Sequence, residues 1–131
     1  MTTTSAIIRT VGVPKEIKVH EYRVGMTPAI AHAYIKAGHS VLVEKGAGEG
    51  AGLTDADYER VGVKLVKSAD ELWKRAEMVV KVKEPQLHEC KMLRKGQLLY
   101  TYLHLAPDPD LTKGLIKSGC TAIAYETVTS A

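Results

Sequence analysis

A chain of 131 residues, 45% hydrophobic and 25% charged, has the length and mix of one soluble domain, which excludes a disordered tail, a collagen-like repeat and a disulfide-rich scaffold. Its net charge of +3 is spread over 18 basic and 15 acidic residues without a long basic run, so no nucleic-acid partner is expected. Thr2, Thr3, Thr4 and Ser5 stand where a secretory signal would be positive, no apolar stretch approaches the roughly 18 residues of a spanning helix, and Cys90 and Cys120 lack metal-ligand spacing; the expectation is a cytoplasmic protein with reduced thiols, no metal and no membrane contact.

Taken in chain order, β-branched and apolar residues predict a first strand over 7–13. Thr27 as N-cap and Pro28 at the first helical position then open a helix over 28–37, which stops at Gly38. A strand over 40–43 runs into a glycine-rich stretch, Thr54 opens a short helix over 55–60, and a third strand covers 64–66. Ser68, with Glu71 three residues on, caps a helix over 69–76. A strand over 78–83 leads through Pro85 to a helix over 86–94, followed by a strand over 97–104, a helix over 110–117 that ends before Gly119, and a strand over 121–126. Helical crossovers between all strands predict an α/β fold: a Rossmann-like or flavodoxin-like, mostly parallel sheet with helices on both faces. Chemistry is then expected beyond the carboxyl ends of the strands. The chain ends abruptly after its last strand, at Val128-Thr129-Ser130-Ala131.

Four segments are candidates for function. The stretch 46–52 contains G-x-G-x-x-A after a strand, the pattern of a dinucleotide phosphate loop. The helix behind it is short and starts late, and Asp55 and Asp57 in its first turn would repel a phosphate, which favours a structural turn. Arg23 lies between the first strand and first helix, where its fork either grips a carboxylate at two points or pairs with Glu16 or Glu21. Lys81 and Lys83 end the fourth strand, and strand alternation sends both to the same side. A lysine at that edge suits an oxo or carboxylate oxygen, a solvated lysine being the alternative. His104, flanked by Leu103 and Leu105 at the end of the fifth strand, suits proton transfer at a carbonyl, or else is a core imidazole bonded to the backbone.

Taken together, GVPKEIKVHEYRVGMTP, VLVEKGAGEGAG, VVKVKEP, GQLLYTYLHLA and TAIAYETV resemble the N-terminal part of the alanine dehydrogenase and proton-translocating transhydrogenase family. KVKEP followed by LHLA is nearer the alanine dehydrogenase branch than the transhydrogenase branch. The departures are mild, chiefly Tyr22, Tyr100 and Tyr102 where phenylalanine is frequent. The resemblance implies a two-domain enzyme of which residues 1–131 are the N-terminal part of the substrate, or catalytic, domain, completed by residues returning from the C-terminus. The NAD domain, with its dinucleotide motif and a catalytic aspartate, would follow downstream. It implies that Arg23 binds the carboxylate of alanine or pyruvate, that Lys83 binds the same substrate, and that His104 is the acid/base residue. NAD would serve the whole enzyme, a homo-oligomer, with no cofactor-binding residue among these 131, which alone would be inactive. Two further readings stand beside it: part of a transhydrogenase alpha subunit, and a non-catalytic module that binds 2-oxo acids.

Overall fold

The computed structural model describes residues 8–102 and 108–124. Six strands form one sheet: β1 (Thr10–Val13), β2 (Ser40–Glu44), β3 (Lys64–Val66), β4 (Met78–Val80), β5 (Leu98–Thr101) and β6 (Thr121–Ala124). Every neighbouring pair is parallel and the order across the sheet is β3-β2-β1-β4-β5-β6. That order is the Rossmann one and not the flavodoxin-like one. The chain winds outward from β1 to one edge, then returns to start the other half at β4. The switch point therefore lies between the carboxyl ends of β1 and β4, which run side by side with Val11 opposite Met78 and Gly12 opposite Val79.

Strand alternation splits the apolar residues into two cores. Val11, Val13, Val41, Val43, Met78 and Val80 face one side, covered by Ala31 of α1 (Pro28–Lys36) and Tyr58 of α2 (Asp55–Arg60). Leu42, Val79 and Leu99 face the other, against Leu72 and Trp73 of α3 (Ala69–Arg75), Cys90 of α4 (Leu87–Cys90) and Leu111 and Leu115 of α5 (Pro109–Ser118). The first face is unevenly covered. Beside α1, a groove of 480 Å³ opens between Ile30 and Tyr34 of that helix and Leu98, Tyr100 and Ile123 of β5 and β6, where Ile123 stays exposed.

The punctuation read from the sequence operates as expected. Thr27 Oγ1 accepts from the Ile30 amide, Thr54 and Asp57 form a capping box, and Ser68 Oγ accepts from the Glu71 amide. The predicted helix over 86–94 is cut to Leu87–Cys90. Its second half turns away to close the end of α3: Arg94 donates to the Trp73 and Ala76 carbonyls at 2.8 and 2.9 Å, and Gln97 Nε2 donates to the same two at 2.7 and 2.8 Å. Carbonyls left bare at a helix end need such donors.

Candidate functional site

At the switch point the loop after β1 meets the end of β4 through buried charge. The predicted strand over 78–83 stops at Val80, so alternation does not carry on through the two lysines, and they part. Lys81 is 1% exposed; its Nζ donates to Glu16 Oε1 at 2.9 Å and to the Lys83 carbonyl at 2.8 Å, and lies 3.6 Å from Glu89 Oε1. Glu16 also accepts from the backbone amides of Val82 at 2.8 Å and Lys83 at 3.2 Å. Burial pushes the Glu89 carboxyl up, against the pull of Lys81. Lys83 itself is half-buried at the surface, and Lys18 reaches across from the β1 loop to pair with Glu84.

The same loop carries Arg23. Its exposed guanidinium grips Glu21 at two points, Nη2 to Oε1 at 2.8 Å and Nε to Oε2 at 3.0 Å, while its amide donates to Oε2 at 2.8 Å. Of the two partners weighed from the sequence, Glu21 holds the fork. The Arg23 side-chain hydrogen bonds, aided by its charge and the more distant Lys83 ammonium, hold the Glu21 carboxyl down at about 2, against a smaller opposing effect of burial. Arg23, Glu21 and Lys83 thus share one field at the functional edge of the sheet. The loop is turned by His20, whose φ of 64° is left-handed, and closes onto β4 at Gly25. A Cβ there would lie 2.5 Å from the Val80 carbonyl oxygen and 2.9 Å from Lys81 Cα.

A cleft of 210 Å³ separates this loop from the glycine-rich stretch, with Glu16, Glu21 and Arg23 on one wall and Gly46, Ala47 and Gly50 on the other. The glycine stretch is occupied with itself. The Gly46 amide donates to Asp55 Oδ1 at 2.9 Å, and the amides of Ala47, Glu49, Ala51, Gly52 and Leu53 donate to carbonyls of the same turn. Gly50 is pressed against the Arg23 loop, where a Cβ would come 2.9 Å from the Tyr22 carbonyl oxygen. A pyrophosphate needs free amides at a helix start; here Asp55 takes the Gly46 amide and backbone carbonyls take those of Ala47, Glu49, Ala51, Gly52 and Leu53. These residues do not fit a dinucleotide and instead buttress the loop that bears Arg23.

Arg23 and Lys83 are brought to one edge, Lys81 goes inside, and His104 lies outside the described residues. The sequence offered Glu16 only as a partner for Arg23 and did not single out Glu89, and it left Lys81 beside Lys83. A lysine in the run Met78-Val79-Val80-Lys81-Val82 was the available signal, because a charge inside an apolar segment requires a buried counter-charge. No group of three or more His, Cys, Asp or Glu that could hold a metal occurs among the described residues, and no helix there is long and apolar enough to cross a membrane.

The family described as Alanine dehydrogenase/PNT, N-terminal domain, matches residues 12–131. An alanine dehydrogenase of Halomonas elongata is 54% identical over 120 residues, covering 92% of this chain and 32% of its own length. Among solved structures, an L-alanine dehydrogenase superposes with a TM-score of 0.89 at 52% identity, covering 92% of this chain and 33% of that one. A transhydrogenase from Sinorhizobium meliloti gives 0.86 at 24% identity, covering 94% and 36%, and at that identity the likeness is one of fold. The chain spans about a third of the length of the relatives it matches.

Proposed function

The chain belongs to the alanine dehydrogenase/PNT family through its N-terminal domain, and from that premise we propose that residues 1–131 are the substrate-binding part of an NAD-dependent L-alanine dehydrogenase, which interconverts L-alanine with pyruvate and ammonia. Arg23 holds the substrate carboxylate, Lys83 binds the same substrate near its carbonyl oxygen, and His104 moves the proton at the reacting carbon's oxygen. The observation that carries this reading is the Arg23 fork. It already grips a carboxylate, that of Glu21, with two hydrogen bonds of 2.8 and 3.0 Å, at the edge where a Rossmann sheet receives its ligand. A small 2-oxo acid presents the same two oxygens and would take the place of Glu21, a position the Lys83 charge already favours for a carboxylate.

NAD is assigned to a second domain, since the stretch 46–52 does not fit it. The groove over β4 to β6 is where we place residues returning from that later part of the protein. The exposed Ile123 on its β6 side supports this, because an apolar side chain at a groove suits a cover. Relatives near half identity named alanine dehydrogenase, against 24% for the transhydrogenase, favour the amino-acid reaction. We further assign the whole enzyme to the cytoplasm, as a homo-oligomer.

Steady-state kinetics on the whole protein test the assignment. Arg23→Lys keeps the charge but loses the two-point grip, so it should raise the pyruvate KM with a smaller effect on kcat. His104→Ala should lower kcat by about 10²–10⁴-fold. Near-normal constants in both variants would overturn the site.

A further inference from the structure

We propose that Glu16 is a positioning residue for Lys83: its buried carboxylate, anchored by Lys81, fixes the backbone that aims the Lys83 ammonium into the substrate crevice. The inference rests on the substrate site proposed above and concerns how that site is held in shape.

The ladder between β4 and β5 pairs Val80 with Tyr100 as its last residues, and backbone bonds between the two segments end at the Val82 carbonyl, which accepts from the Tyr102 amide, so main-chain pairing does not reach Lys83. Side chains do the holding instead. The Lys83 amide donates to Glu16 Oε1, and its carbonyl accepts from Lys81 Nζ and from Thr101 Oγ1, each at 2.8 Å. Three side chains from three parts of the fold thus fix both ends of one residue. Glu16 is at the centre. Its side chain is 2% exposed, and its two oxygens take three donors: the Lys81 ammonium and the amides of Val82 and Lys83.

A carboxylate is needed for this. A glutamine of the same size offers one acceptor oxygen, so at least one buried donor would lose its partner, and Lys81 would lose the full charge that compensates it. The segment 81–83 would then settle elsewhere, and Lys83 would move with it. Glu16 touches no substrate in this account and acts through Lys83 alone.

Two measurements on the whole protein separate this role from general support of the fold. In the first, pyruvate KM is compared across wild type, Glu16→Gln, Lys83→Ala and the double variant. Glu16→Gln should raise KM by about tenfold in the wild-type background and by less than about twofold once Lys83 is absent. In the second, the ¹³C-methyl signal of reductively methylated Lys83 should move toward its unstructured position in Glu16→Gln without substrate. If Glu16→Gln does not fold, Glu16→Asp keeps the charge that faces Lys81 while shortening its reach to the Lys83 amide, and the same comparisons are made on it.

An equal rise in KM with and without Lys83, or a Lys83 signal that stays in place, overturns the positioning role. Should Lys83→Ala leave the pyruvate KM unchanged, the substrate-site reading fails instead, and the methyl signal still decides whether Glu16 positions Lys83.

Discussion

Gly25→Ala tests whether the loop bearing Arg23 must touch the end of β4. The added Cβ would stand 2.5 Å from the Val80 carbonyl oxygen, whereas close carbon–oxygen contacts lie near ~3.3 Å, so one side must retreat by roughly 0.8 Å. Val80 is held in the ladder on β5, and the loop has no ladder of its own, so the loop should give way. Overpacking against backbone costs about 1–3 kcal/mol, which at this size lowers Tm by roughly 3–15 °C. Arg23 is two residues from the displaced position, and Lys83 is two residues past Lys81 on the other side of the contact. Because misplacement by ~1 Å can cost up to ~100-fold, the pyruvate KM of the whole protein should rise by about tenfold. Calorimetry and steady-state kinetics read both effects. Gly114→Ala is the control: it stands inside α5 and meets only the Cys90 side chain, at 3.3 Å, and the roughly 1 kcal/mol that a helix gains from alanine offsets that push. A Gly25→Ala protein with unchanged Tm and KM would refute the argument.

Lys81→Met should cost about 3–5 kcal/mol, since it leaves the buried Glu16 and Glu89 carboxylates together without their cation; chemical denaturation checks this, and a loss below ~1 kcal/mol would mean the cluster is not sealed from water. The Glu21 carboxyl should titrate at about 2, not near its ordinary 4.5. Because the folded value is the lower one, the Arg23 pair supports the fold above about 4.5 and loses that support as pH falls through about 2, and ¹³C titration showing an ordinary midpoint would mean that the fork is open in solution. Burial pushes the Cys90 thiol up to about 11, while Cys120 is only half-buried. Iodoacetamide at pH 8 should therefore label Cys120 first by peptide mass spectrometry, and equal rates would contradict the packing of α4 against α5. His20→Gly should leave Tm unchanged or slightly higher, because a left-handed φ costs a non-glycine residue roughly 1 kcal/mol; a fall in Tm would show that its 3.4 Å contact with Tyr22 Oη matters more.

Local punctuation determined which segments become helix or strand. Thr27-Pro28, Thr54 with Asp57, Ser68 with Glu71 and the positive-φ Gly119 act through bonds to residues within one turn, so their meaning travels with the sequence. The alternation of strand and crossover likewise determined a parallel sheet with a core on each face. Strand order was not legible, since Rossmann and flavodoxin-like windings use the same alternation; the register of β1 against β4 decided it. The site divides in the same way. Arg23 and Lys83 could be picked out as candidates because their position after strands and their chemistry are local facts. That Lys81 turns inward to Glu16, sixty-five residues away, while Lys83 stays at the surface, depends on where β4 stops. Backbone pairing with β5 ends at the Val82 carbonyl, which accepts from the Tyr102 amide, and side chains from β1's loop and β5 take the Val82 and Lys83 amides and the Lys83 carbonyl instead. A buried charge must find its counter-charge across the fold, and only the tertiary structure supplies that partner.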